Sequence, residues 1–193
     1  MIDYKFGVYL DKIDPEDSPT LRRWRNDHRI WKWCRQNDLR SAQEHDRWFK
    51  KQAEDSSIKM YAIFIPFREP ANYLSEEHRD YIVGVCGLTS IDPTNRTAEF
   101  SLYISPDYQH RGLAKAALKT LITHGFMNLG LNCIWGETFE GNKAAHLFEK
   151  IGFKKEGTRR SLYFREGKFI DAHLYSILAS EWKCSMSDTS LAS

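Results

Sequence analysis

A chain of 193 residues is long enough to bury one α/β core and too short for two domains of ordinary size. Its formal charge of +2 and isoelectric point near 8.3 are too mild to imply nucleic acid or an anionic membrane as a partner. Four scattered cysteines, Cys34, Cys86, Cys133 and Cys184, form no Cys-x-x-Cys pair, which argues against a disulfide frame or zinc knuckle and fits a reducing compartment.

The N-terminal MIDYKFGVYLDKID has no basic run leading into an apolar one. No later stretch reaches the roughly 18 apolar residues of a membrane span. A cytoplasmic protein without membrane contact is therefore expected. Tyr4 to Leu10 reads as a first strand, and Asp14 or Ser18 can cap a helix through Leu21 and Trp24, with Pro15 or Pro19 in its first turn. WRNDHRIWKWCRQND is basic and aromatic, a helix broken near Asn26-Asp27, with Trp24, Trp31 and Trp33 expected to pack as core. Ser41 to Glu44 has capping-box spacing and opens a helix carrying His45, Trp48 and Phe49 on its apolar face. Ile58–Phe67 and Tyr81–Ile91 read as strands around a polar, proline-containing insertion, Arg68–Asp80, which suits an extended hairpin loop.

Asp92-Pro93-Thr94-Asn95 turns into a strand where Phe100, Leu102 and Ile104 alternate with Glu99, Ser101 and Tyr103. Pro106 ends it, and Gln109-His110-Arg111-Gly112-Leu113-Ala114 leads into an amphipathic helix reaching Leu129 and stopped by Gly130. The first turn of a helix has unpaired N–H groups at the positive end of its dipole, so it can hold phosphate. Gly112 and Ala114 let a ligand approach the backbone, while Arg111 and Lys115 add positive charge. Asn132–Phe139 returns as a strand, Asn142 caps a short helix AAHLFEKI that ends at Gly152, and Phe153–Phe164 pairs with Lys168–Leu178 across Glu166-Gly167. Residues 1–182 read as one domain and 183–193 as a polar C-terminal tail.

Gln109-x-x-Gly112-x-Ala114, followed about thirty residues later by Asn142-Lys-Ala-Ala145-His-Leu-Phe-Glu149-Lys150-Ile-Gly152-Phe153, resembles the GNAT (Gcn5-related) N-acetyltransferases. Trp24-Arg25-Asn26-Asp27 with Glu44-His45…Trp48-Phe49 is similar to the RimJ/RimL-type ribosomal-protein branch and its amino-sugar-nucleotide relatives. The resemblance implies an α/β (α+β) fold with a central mixed, mostly antiparallel twisted sheet and helices on both faces. It implies acetyl-CoA as cosubstrate. By that resemblance the donor-binding residues are Leu102, Tyr103 and Ile104 of the strand, Gln109, His110, Arg111, Gly112, Leu113, Ala114 and Lys115 of the loop, and Asn142, Phe148 and Lys150 of the second helix.

Direct acyl transfer to an amine needs a neutral nucleophile, a polarised thioester carbonyl and a proton donor for the departing thiolate. A desolvated carboxylate at a strand end can take the amine's proton. Glu99 is the first candidate and Glu137, on the following strand, the second. Splayed N–H groups near Leu102–Ile104 can polarise the carbonyl, as the family's bulged strand does. Where the family commonly has a tyrosine this chain has Phe148, which cannot protonate a thiolate; His146, Tyr103 or solvent remain for that role. Arg25, His45 and Trp48 are the substrate-side candidates, for an anionic group and for stacking on a sugar or base. Seven histidines share no ligand spacing, so no metal is expected.

The leading expectation is an acetyl-CoA-dependent N-acetyltransferase acting on a small amine such as an amino-sugar nucleotide. The alternatives are protein N-terminal or side-chain amines, an aminated nucleic-acid base, and a non-catalytic CoA-binding module. Arg22, Arg23, Arg25, Arg29, Lys32 and Arg35, interleaved with tryptophans, carry the nucleic-acid alternative. A homodimer is a candidate assembly.

Overall fold

Among the described residues (1–3, 6–36, 38–66 and 81–182), the computed structural model folds eight strands into one sheet ordered β1-β2-β3-β4-β5-β6-β8-β7. The strands are β1 (Ile2–Asp3), β2 (Tyr9–Lys12), β3 (Lys59–Ile65), β4 (Tyr81–Asp92), β5 (Thr97–Ile104), β6 (Cys133–Phe139), β7 (Lys154–Arg165) and β8 (Lys168–Leu178). Neighbours are antiparallel except β5 and β6, which run parallel. The helices are α1 (Ser18–Arg25), α2 (His28–Trp31), α3 (Ala42–Glu54), α4 (Leu113–Met127) and α5 (Ala144–Ile151).

Alternation along the strands sends residues to two cores. Ile63, Val83, Cys86, Phe100 and Ile104 face α4 and α5, while Ala62 and Val85 face Leu21, Trp24 and Ile30 of α1 and α2. The expected helices on both faces are present. Burying a side chain such as Leu21 or Leu118 completely contributes about 1.5–3 kcal/mol each.

Local signals set the helix ends. Asp27 Oδ1 accepts from Arg29 N–H at 2.8 Å and opens α2. The Ser41–Glu44 capping box opens α3. Asn142 Oδ1 accepts from Ala144 N–H at 3.0 Å at the head of α5. At the other end of α5, Gly152 has φ +113, and the Gly152 and Phe153 N–H groups both close onto Phe148 O.

Four expectations change. The first strand is two short ones, parted by a turn with Gly7 at φ +87; Tyr4 lies outside the described residues. The buried side of α4 is wider than one stripe, taking in Leu118, Thr120, Ile122 and Thr123 beside Ala117 and Leu121. The helix lies across β1, β2, β4 and β5 with α5 against its flank, so little of its girth meets water. Trp33 is not core: it is 37% exposed, because α2 ends at Trp31 and the chain has already turned. Finally, β5 has no bulge at Leu102–Ile104. Its pairing with β4 is unbroken from Glu99 to Ile104, and the irregularity lies in β4 after Thr89, where Ser90 has φ +50. The insertion 68–80 and the tail 183–193 lie outside the described residues.

Candidate active site

The parallel pairing of β5 and β6 stops at Glu99–Trp135. Beyond it β5 stays with β4 and β6 stays with β8, so the two strands part like a fork. Splaying therefore arises from this divergence rather than from a bulge. The β6-facing edge of β5 past Glu99 has no strand partner among the described residues. A cavity of about 680 Å³ opens in the fork.

On the α4 side, Leu102 and Ile104 line the cavity with Gln109, His110, Gly112, Leu113, Ala114 and Lys115, while Tyr103 lines it from the α1–α2 side. Gln109 Nε2 donates to Ile104 O at 3.1 Å and ties the loop to the strand end. Gly112 takes a left-handed turn (φ +77) immediately before α4, and His110 is left-handed too (φ +64). The first N–H groups of α4 consequently face the opening without helical acceptors. Asn142, Phe148 and Lys143 line the α5 side. Phe148 is buried, edge-on to Phe100 at 5.0 Å and to Tyr175 at 5.7 Å.

Two donor-side candidates fall elsewhere. Arg111 turns back, donating to Asp107 O at 3.2 Å with its guanidinium over the Tyr108 ring. Lys150 sits in the last turn of α5, about 9 Å of helix rise beyond Ala144; Lys143, at the helix head, lines the cavity instead. His146 is exposed beside Glu149 and does not line it either.

Glu99 and Glu137 reach the opposite side of the sheet. Glu99 is in register with Trp135, so Glu137, two residues on, points to the same face. Both carboxylates are nearly closed to solvent, with side chains 9% and 4% exposed. One guanidinium, from Arg35 after α2, joins them. Its Nε donates to Glu137 Oε1 at 2.7 Å, Nη1 donates to Glu99 Oε2 at 3.3 Å, and Nη2 pairs with Glu99 Oε1. Tyr163 also donates to Glu137, and Arg159 lies 3.6 Å from Glu137 Oε2. Burial and the adjacent Glu137 carboxylate push the Tyr163 hydroxyl up, and burial does the same for Tyr103. Two buried negative charges are tolerable because two guanidinium groups balance them.

Of the substrate-side candidates only Arg25 lines the cavity, its guanidinium 5.6 Å from the Tyr103 ring centroid and Nη1 3.3 Å from Cys34 Sγ. His45 is buried between α3 and α1, with Nδ1 3.0 Å from Ser18 Oγ, and Trp48 packs on it at 5.2 Å. Their i, i+3 spacing serves helix packing. The basic run is likewise divided rather than forming a stripe: Arg29 pairs with Asp27 and Arg35 with the two acids. Arg35, a nucleic-acid candidate by sequence, instead holds the two acids, and Arg159, Tyr163 and Arg165 carry no sequence signal as site residues. The excess of arginine before Asn37 is the only local signal for Arg35, and it points to no acid.

The description "Acetyltransferase (GNAT) domain" fits residues 8–154. The chain belongs to the GNAT acetyltransferase family. Acetyl transfer to an amine is the reaction class that comes with it. Among its relatives, the spermidine N(1)-acetyltransferase of Vibrio cholerae is 28% identical over 138 residues, 70% of this chain and 80% of the relative. The acetyltransferase PseH of Campylobacter jejuni is 25% identical over 143 residues, 74% of this chain and 80% of that one. A crystal structure of the Vibrio cholerae spermidine N-acetyltransferase with CoA and spermine superposes with a TM-score of 0.81, covering 91% of this chain and 97% of that one at 23% identity. That likeness shows the same fold over 91% of this chain. Among the described residues no group of three His, Cys, Asp or Glu could hold a metal ion, and no helix is long and apolar enough to cross a membrane.

Proposed function

We propose that this GNAT protein moves the acetyl group of acetyl-CoA directly to the primary amine of a small molecule that also carries an anionic group, of which an amino-sugar nucleotide is the model. The observation behind this reading is Arg25: it lines the cavity on the acid-pair side of the sheet and pairs with no carboxylate among the described residues. A guanidinium so placed suits a phosphate or carboxylate on the acceptor.

The donor's pyrophosphate suits the head of α4, where N–H groups and the dipole favour negative charge, with Lys115 and Lys143 adding cations. The thioester then lies along the open edge of β5, whose free N–H groups can stabilise the carbonyl oxygen as it becomes negative. The bound ammonium gives one proton to Glu99, the lone pair so freed forms the new C–N bond, and the second N–H proton passes to solvent. As the tetrahedral intermediate collapses the C–S bond breaks and the thiolate leaves with the electron pair, to be protonated by Tyr103 or by water. Burial keeps Tyr103 in the protonated form such a donor needs. Glu137, held by Tyr163 and Arg159, supports the charge of the site.

A polyamine acceptor is the second reading, favoured by the spermidine acetyltransferases among the relatives. Arg25 opposes it, because it sets a fixed positive charge where the polyamine's remaining ammonium groups would lie. Matched acceptors separate the two: CoA release is measured with an amino sugar, with the same sugar as a nucleoside diphosphate conjugate, and with spermidine. The conjugate is expected to have the highest kcat/KM, and Arg25→Gln to erase its advantage over the free sugar. Spermidine as the best acceptor, unaffected by Arg25→Gln, would overturn the proposal.

A further inference from the structure

We infer that Glu99 and Glu137 form a subsite for one primary ammonium group, and that in the resting protein the Arg35 side chain fills it. The inference rests on the amine-acceptor reading above and adds an occupant that an acceptor must displace.

Every nitrogen of the Arg35 guanidinium engages one of the two acids, so its charge is committed to them. The carboxylates are nearly inaccessible while Arg35 is 50% exposed. The cation thus stands between the acids and solvent. An amine that is to hand its proton to Glu99 must occupy the place this guanidinium now holds.

The base of the side chain is fixed. Arg165 donates to the carbonyls of Cys34 and Arg35, each at 2.9 Å, and its own guanidinium stacks on Phe139 and Tyr163. Release is therefore a rotation of the Arg35 side chain about an anchored backbone, which exposed side chains make quickly.

Charge identifies the occupant. With Arg35 turned out, Glu99 and Glu137 carry two negative charges, and Arg159, 3.6 Å from Glu137, balances one. One negative charge remains, deeply buried, and one ammonium group satisfies it. The exchange of guanidinium for ammonium is charge-neutral, so it avoids the penalty of leaving a buried carboxylate unpaired. A second cationic group in the acceptor finds no acid there.

The apparent affinity of an amine is then its intrinsic affinity multiplied by the fraction of time Arg35 spends out of the subsite. Arg35→Gln, which keeps a polar side chain and removes the cation, is expected to lower the KM for the best amine of the acceptor panel about ten-fold. Arg35→Lys restores the wild-type KM. A residue that only held the loop in shape would raise KM or lower kcat in Arg35→Gln, and that result would overturn the inference. Binding is tested apart from turnover with n-propylammonium, titrated against wild type and Arg35→Gln with the tryptophan Nε1–H signals of 15N-labelled protein as readout. Tighter binding to Arg35→Gln supports the subsite even if no amine in the panel is acetylated, which would sink the functional reading alone. Equal or weaker binding contradicts the subsite whatever the turnover shows.

Discussion

His45 shows how a residue can be misassigned when only its type is known. Its imidazole is buried between α1 and α3, where Nδ1 meets Ser18 Oγ and Nε2 has no hydrogen-bond partner among the described residues. Burial holds its pKa below the ordinary 6.5, with Arg22 and Arg25 acting in the same direction and Asp46 against them. The unfolded chain therefore takes up the proton first as pH falls below about 6.5. The contribution is complete above that value and is lost as pH drops through the folded-state pKa. His124, half-buried near Tyr61 and also lowered by burial, acts with the same sign. Melting temperature measured between pH 7 and 5 should fall towards acid, and His45→Gln should reduce that slope. A slope unchanged in the variant would show that His45 does not titrate on unfolding.

At the level of elements, the fork between β5 and β6 depends on small residues at the places of closest approach. A Cβ at Gly136 on β6 would run into the Phe100 ring on β5. Gly136→Ala should cost about 1–3 kcal/mol, a fall in Tm of about 2–4 °C per kcal/mol, and it should lower activity because Glu137 is the next residue. Gly112 differs. Nothing lies within 4 Å of a Cβ built there, so Gly112→Ala suffers only the left-handed φ of +77, about 1–2 kcal/mol. Denaturant titration of the two variants distinguishes a packing clash from backbone strain, since truncating Phe100 should rescue the first alone.

These elements were legible from sequence where their causes are local. The Ser41–Glu44 box, the Asn142 and Gly152 ends of α5 and the Glu166-Gly167 hairpin all depend on residues within a few positions of one another. The strand–loop–α4 unit could be read for the same reason. The acid site could not be read in full. Arg35 lies 102 residues from Glu137 and 64 from Glu99, and no periodicity links them. The fork was missed as well, because it follows from which strands remain paired past Glu99. Trp33, apolar by composition, points partly to solvent because α2 ends before it, and Trp48, in the middle of α3, covers His45 with one side and leaves the other to solvent.

On the scale of the whole molecule, a mostly antiparallel sheet divides the work between its faces. The α4 and α5 face carries the helix head proposed for the donor's pyrophosphate, and the α1–α2 face carries Arg25, Arg35 and the two acids. The β5–β6 pair, parallel while every other neighbouring pair among the described residues is antiparallel, is where the sheet opens and the faces communicate. The central claim is that the amine's proton goes to Glu99 at this opening, in a direct transfer from acetyl-CoA. It is tested by measuring kcat for Glu99→Gln together with its Kd for acetyl-CoA. The variant should bind acetyl-CoA as the wild type does and lose about a hundred-fold or more in kcat across the pH range. Undiminished turnover in Glu99→Gln would contradict the account.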